Sequence, residues 1–216
     1  MSTRRVERGG AVGYRWVAAR VGVAALCWLS PSSLATTVEF QSVPIGTKYG
    51  GGFLNVPGQV VLTEPAQNGI DMSVEPFYYQ QFNGFFQAEV VGPSNDHQLA
   101  IDNISILFDL TNVGFNVTSL TLEYLELGGN DNFAVNGGPI LQLAELTDIP
   151  PNVALGVTAL VGGGHITLTG KIDSVLIGGQ ELTIDTIVAV PEPTSLVLLA
   201  MGGVLALRRS RKHRGP

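Results

Sequence analysis

Two histidines are the first side chains to consider for catalysis, because histidine is the most frequent proton-transfer group in enzymes. His97 ends the segment Pro93–His97, and His165 follows three glycines. A hydrolytic triad needs a nucleophile, a base and an orienting acid in contact, and no serine or threonine of the central region lies in a nucleophile-elbow motif. Because Pro93–His97 is rich in turn-forming residues, we interpret His97 as a surface loop histidine. The sequence identifies no catalytic residue.

Carboxylates are far more abundant than histidines. Between Thr36 and Val190 the chain has sixteen acidic residues and only two basic ones, Lys48 and Lys171, which gives a net charge of −14. So few cations exclude binding to nucleic-acid phosphates and to anionic lipid headgroups. A glycoside hydrolase needs two carboxylates beside a cleft, but sixteen acids bring some pair together in any fold. A glycoside or ester hydrolase therefore remains an alternative without a specific pair.

Calcium is the metal that this composition favours, since Ca²⁺ takes six to eight oxygen ligands. The stretch Gly128–Asn132 is rich in oxygen donors, and Asp131 is its carboxylate. Its spacing is not that of an EF-hand loop. A solvated acidic surface is the favoured explanation of the charge, so we expect no cofactor and keep a structural calcium as the alternative. Zinc is not expected, because the only cysteine is Cys27, near the start of the chain.

Aromatic side chains are concentrated in one short segment. Six of them lie within ten residues: Phe77, Tyr78, Tyr79, Phe82, Phe85 and Phe86. In a strand, alternate members would enter the core and the others would face outward. We expect core packing, with a sugar-stacking platform as the alternative, and Tyr78 and Tyr79 are then the candidates for sugar contact.

The elements that must position these residues are strands. Apolar and polar residues alternate with a period of two in several runs, for example Ile104–Leu110 and Leu120–Leu125. About ten such runs separated by Gly, Asn and Pro predict one all-β domain, an antiparallel β-sandwich of the jelly-roll type that carbohydrate-binding modules also use. Gly178-Gly179 between two apolar runs predicts a tight hairpin. Any helix, at Ile140–Leu146 or Val153–Leu160, should be minor.

The first 35 residues have the pattern of a secretory signal peptide. Five arginines precede the apolar run Val21–Leu29, and Ser33-Leu34-Ala35 supplies small residues for signal peptidase, which predicts cleavage after Ala35. The arginine pair at positions 4 and 5 is not followed by a good twin-arginine pattern, so general secretion is favoured. The mature protein would contain no cysteine and therefore no disulfide.

The end of the chain combines a polar motif, an apolar run and a basic stop. The motif is Pro191-Glu192-Pro193, and the apolar run Leu196–Leu207 follows it. A helix of 12 residues covers about 18 Å, less than a hydrocarbon core of about 30 Å. The membrane-segment residues are Leu196, Val197, Leu198, Leu199, Leu205 and Leu207, and the basic stop comprises Arg208, Arg209, Arg211 and Lys212.

This arrangement resembles the PEP-CTERM sorting signal of Gram-negative bacteria, which a membrane enzyme of the exosortase type recognises. An ordinary single-span tail anchor is the alternative. The positive stop places the motif on the outer side of the inner membrane, where the tail would be a transient anchor. We therefore divide the chain into signal peptide (1–35), β-sandwich (36–188) and sorting signal (189–216).

The resemblance also bears on the central domain. The stretch Ile177–Ile187 is similar to the last strands of sandwich domains in PEP-CTERM proteins and to galactose-binding-like modules, which implies Asp185 as a calcium ligand. It further implies an exported, non-catalytic protein of the cell surface or extracellular matrix, associated with exopolysaccharide or biofilm. Its expected partners are an exosortase, signal peptidase and a polysaccharide. A calcium-assisted carbohydrate-binding module is the alternative function.

Overall fold

A computed structural model of the protein describes residues 35–53, 55–66 and 69–192. The predicted leader up to residue 34, the apolar run and the basic stop lie outside the described residues. Within the described ranges, no helix is both long and apolar enough to cross a membrane.

The described residues form an all-β fold. Two short 3-10 helices, Gly51–Phe53 and Leu146–Asp148, interrupt it. The strands are β1 Thr36–Val38, β2 Lys48–Tyr49, β3 Gln59–Glu64, β4 Ile70–Tyr79, β5 Phe82–Gly84, β6 Gln87–Val91, β7 Gln98–Asp102, β8 Ile104–Asp109, β9 Val117–Val135, β10 Leu141–Leu143, β11 Asn152–Ala154, β12 Val157–Gly162, β13 His165–Thr169 and β14 Ser174–Pro191.

Two long strands, β9 and β14, belong to both layers of the fold. Their distal parts, Asp131–Val135 and Ser174–Gly179, pair with each other inside the order β3-β4-β8-β14-β9-β10. Their other parts pair inside the order β11-β12-β13-β9-β14-β7-β6-β2, and β1 pairs with the end of β14. Every pairing is antiparallel, which confirms the predicted antiparallel β-sandwich.

The hairpin predicted at Gly178-Gly179 is wrong. β14 runs without a turn through Gly178 and Gly179. The register between β9 and β14 shifts on either side of Glu181, as in a β-bulge, and bulges bend strands. A Cβ on Gly178 would lie 2.8 Å from the Ile104 carbonyl oxygen, so glycine is present because β8 passes close by. Close backbone approach, rather than a reversal of the chain, explains this glycine pair.

The core follows the period-two pattern on both layers. On β8 the buried residues include Ile104, Ile106 and Phe108, and on the facing layer Leu99 and Ile184 join the same apolar cluster. Burying one such side chain contributes about 1.5–3 kcal/mol. The two segments considered as possible helices contain β10, parts of β11 and β12, and the start of one 3-10 helix.

Both ends of the domain lie side by side. Thr36, the first residue of β1, pairs with Ala189 near the end of β14, and Pro191 pairs with Val117. Ala35, where signal cleavage is predicted, is exposed directly before β1. A fragment ending at Val188 would therefore remove the last three residues of a strand that is paired with β1 and β9.

Candidate functional site

The aromatic segment is divided between core and surface. Phe77 is fully buried and packs edge-on against Phe82, with ring centroids 6.2 Å apart. Tyr78 and Tyr79, the candidates for sugar contact, are half-buried, whereas Phe82 and Phe86 are about half exposed. β4 and β5 thus place part of this segment in the core, and the more exposed rings are not the two tyrosines.

The Tyr78 main chain is fixed by a buried amide. Its N–H donates to Asn132 Oδ1 at 2.8 Å, and Asn132 Nδ2 donates to the Tyr78 carbonyl. Ser105 Oγ also donates to Asn132 Oδ1, at 3.4 Å. Asn132 is therefore an anchor that joins β9 to β4 rather than a solvent-facing calcium ligand.

His97 is buried, so the prediction of a surface loop histidine is wrong. Its Nδ1 lies 3.1 Å from the Phe40 carbonyl oxygen and 2.9 Å from that of Val43. Two carbonyl acceptors mean that Nδ1 carries the proton and donates to them. The ring stabilises the turn that follows β1. The sequence did not predict this structural role, because the residues before His97 are rich in Pro, Ser and Asn, which is typical of exposed loops.

Asp131 is the most unusual carboxyl group among the described residues. Its side chain is 1% exposed, and no donor group lies within hydrogen-bonding distance of either oxygen. Burial raises the pKa of Asp131 to about 8, and the charge of nearby Glu126, a hydrogen bond that the protonated Asp131 carboxyl donates to Glu126, and the charge of Glu145 act in the same direction. Glu126 accepts the Leu146 N–H at 3.1 Å. The arrangement suits a carboxyl group that keeps its proton at neutral pH.

The two predicted calcium ligands do not meet. Asp131 lies in the interior beside Glu126, while Asp185 is on the outer surface and accepts Gln98 Nε2 at 3.3 Å. Among the described residues, no group of three or more His, Cys, Asp or Glu side chains is arranged to hold a metal ion.

A larger candidate site lies on the outward surface of β7, β9, β13 and β14, which we call the open face. Side chains two apart along each strand share this surface, as the strand period requires. Its members are Gln98, Ala100, Asp102, Glu123, Leu125, Leu127, His165, Glu181, Thr183 and Asp185. The Cα register aligns Ala100, Thr183 and Leu125 across three adjacent strands.

A groove of about 490 Å³ occupies one end of the open face. Asp102, Asn103, Gln180 and Glu181 supply its polar groups, and Leu127, which is 66% exposed, supplies an apolar wall. The volume falls in the range of about 300–1,000 Å³ that ligand sites have.

The amide of Gln180 is held in place in this groove. Its Oε1 accepts from the Asn130 N–H at 2.9 Å and from Asn130 Nδ2 at 2.8 Å, and its Nε2 donates to Asn103 Oδ1 at 3.4 Å. A Cβ on Gly129 would lie 2.6 Å from that of Gln180, so a glycine is needed beneath it. The groove floor is therefore organised before any ligand arrives.

A second hollow of about 200 Å³ continues the site along the strands, and Thr183 lines both. Glu123 and His165 face each other there at 3.5 Å, beside Asp185 and Leu125. Sequence reasoning did not find this combined site, because its side chains come from four strands that are distant in the sequence. The available signal was that Glu123, Leu125 and Leu127, at every second position of one strand, place a carboxylate and two leucines on the same face.

The sorting motif begins within the sheet. Pro191 is the last residue of β14, Glu192 follows it, and Pro193 lies outside the described residues. The motif is thus joined to the domain without a spacer.

Comparison with known proteins confirms the predicted sorting signal at the end of the chain. A family model described as the PEP-CTERM protein-sorting motif matches residues 189–212. No curated protein matches the chain. Among solved structures, a low-affinity xylan-binding module, CBM86, from the gut symbiont Roseburia intestinalis is similar at 15% identity. The match covers 55% of this chain and 94% of that chain with a TM-score of 0.26, which is too low to support an argument.

The family match lies in the tail alone and does not include the central domain. Residues 189–212 carry a PEP-CTERM protein-sorting motif, which implies an exported protein that is targeted by an exosortase and anchored transiently in the membrane.

Proposed function

We propose that the protein is a non-catalytic component of the cell surface or extracellular matrix, released to that location when an exosortase processes its tail. The observation that carries the proposal is the position of the motif. β14 ends at Pro191, the first residue of the Pro191-Glu192-Pro193 motif, so the last strand of the domain overlaps the start of the sorting signal. Processing beyond this point would leave every strand pairing intact.

The location of the unusual carboxyl group supports a non-catalytic role. A general acid with a raised pKa must reach its substrate. Asp131 has the most strongly raised pKa of any described carboxyl group, but its side chain is only 1% exposed. The acidic groups of the open face, in contrast, are accessible and suit binding.

Replacing Glu192 by alanine tests the sorting step. We expect wild-type protein at the cell surface or in the medium of an exosortase-bearing host, and the variant in the inner-membrane fraction with its tail retained. The measurement is immunoblotting of cell fractions, and Glu39→Ala, an exposed glutamate near the start of the domain, is the control. Equal surface delivery of both variants would contradict the proposal.

Polysaccharide binding is the second candidate, and the groove on the open face favours it. Neutral amides, carboxylates and a hydroxyl line one accessible surface beside exposed leucines, which suits a ligand with many hydroxyl groups. The half-buried Tyr78 and Tyr79 offer less free ring surface for stacking. We therefore assign sugar contact to the open face. Whether calcium assists this contact is tested by measuring binding with Ca²⁺ present and chelated.

A further inference from the structure

We infer that the open face binds a polysaccharide with free amino groups, a polymer of amino sugars rather than of neutral ones. The inference rests on the proposed polysaccharide binding and names its ligand class. It follows from the charges of the groove, from how the described lysines are used, and from the shape of the surface.

Four carboxylates give the open face its charge. Asp102 and Glu181 line the larger groove, and Glu123 and Asp185 line the smaller hollow. Glu181 and Asp185 are four residues apart on one strand, about 13 Å at the usual rise. Charge is therefore spread along the site, as a repeating cationic ligand would require.

No lysine of the described chain neutralises these groups. Lys48 pairs with Glu89 at 3.1 Å, and Lys171 pairs with Asp173 at 3.0 Å. Among the described residues, the only cationic candidate near the four carboxylates is His165, beside Glu123. A charged surface of one sign attracts a ligand of the other sign and excludes like-charged polymers. An acidic polysaccharide would be repelled.

The shape and polarity of the surface favour a sugar over a cationic peptide. Protein interfaces concentrate affinity in buried aromatic anchors with apolar pockets. The open face presents two exposed leucines from one strand, Leu125 and Leu127, which are 57% and 66% exposed. The fixed amide of Gln180 and the amide of Asn103 stand beside them, so hydroxyl and ammonium groups could be bound while the leucines contact the ring faces.

The test compares two oligomers that differ only in acetylation. The full chain in mild detergent is titrated calorimetrically with a glucosamine hexamer and with an N-acetylglucosamine hexamer, at a mildly acidic pH and with Ca²⁺ present or chelated. We expect the free-amine oligomer to bind at least about tenfold more tightly, with affinity falling as salt rises. Equal or tighter binding of the acetylated oligomer would overturn the inference and leave the polysaccharide proposal standing.

Variants locate the site. Asp102→Asn with Glu181→Gln should weaken binding of the free-amine oligomer about tenfold. Glu181→Gln alone should weaken binding less. Because Glu181 is exposed, this single variant should fold even if the double variant does not. Asp148→Asn, an exposed carboxylate off the open face, and Tyr79→Ala should have no effect. Loss on Tyr79→Ala instead would place the site at the aromatic segment and overturn the assignment.

Two further outcomes are decisive. A lysine hexamer that binds as tightly as the glucosamine hexamer would show attraction to charge alone and overturn the sugar assignment. If neither sugar binds, with or without Ca²⁺, both this inference and polysaccharide binding are overturned. The sorting proposal would be unaffected by that result, because cell fractionation tests it separately.

Discussion

Asparagine at position 131 should make the protein more stable than wild type at pH 8, and nearly equal to it at pH 4. The pKa of Asp131 rises from its ordinary value of 3.8 to about 8 in the folded protein, chiefly through burial. The folded state therefore holds a proton that the unfolded chain releases between these pH values. Asparagine is neutral throughout and can still donate to Glu126.

The sign of this effect follows from proton linkage. Where the folded state binds more protons than the unfolded state, stability falls as pH rises. The slope is about 1.4 kcal/mol per pH unit for one proton, from about pH 4 to about pH 8. The loss accumulates across this window, so the free energy of unfolding of the wild type should be lower at pH 8 than at pH 4.

Urea denaturation at a series of pH values measures the effect. Wild type should lose stability as pH rises through this window, and Asp131→Asn should lose much less. A smaller slope should persist in the variant, because burial also raises the pKa of Glu75. Asp148→Asn, an exposed carboxylate, should follow wild type. Parallel curves for wild type and Asp131→Asn would show that Asp131 is ionised in the folded protein.

Alanine at Gly178 should destabilise the fold by about 3 kcal/mol. A Cβ there would lie 2.8 Å from both the Ile104 carbonyl oxygen and the Ser105 Cα, and closer still to Ser105 Oγ. Backbone atoms cannot rotate away, so β8 and β14 must separate. Forcing extra atoms into a packed interior costs about 1–3 kcal/mol, and this contact is at the severe end.

Gly162→Ala is the matched control for this substitution. Gly162 also lies in a strand, β12, and a Cβ there would have no atom within 4 Å. Chemical denaturation should show a change of less than about 0.5 kcal/mol for the control. Similar stabilities of the two variants would mean that Gly178 forms a turn, as the sequence alone suggested, and that β14 is not continuous.

The sequence was sufficient for the class of fold, because period-two burial is a local property. Ile104, Ile106 and Phe108 alternate in the sequence and lie in the core. The same local logic failed at Gly178-Gly179, because a glycine pair signals a turn in sequence but also permits close approach between strands. Only the neighbouring strand β8 distinguishes the two.

The candidate site was harder to predict from the sequence, because it depends on which strands are neighbours in the sheet. Asp102, Glu123, Glu181 and Asp185 were four of sixteen acids, and nothing local marked them as members of one surface. The burial of His97 likewise depends on the distant carbonyl groups of Phe40 and Val43. In contrast, the sorting motif is read as a linear segment, so the sequence identified it directly.

The most direct test of the account is the intact mass of the protein recovered from the cell surface and the medium of its host. We predict a chain that begins at Thr36 and ends before Leu196, with the whole of β14 retained. A surface-exposed product that still contains the apolar run Leu196–Leu207 would contradict it, because the tail would then be a permanent anchor and not a sorting signal.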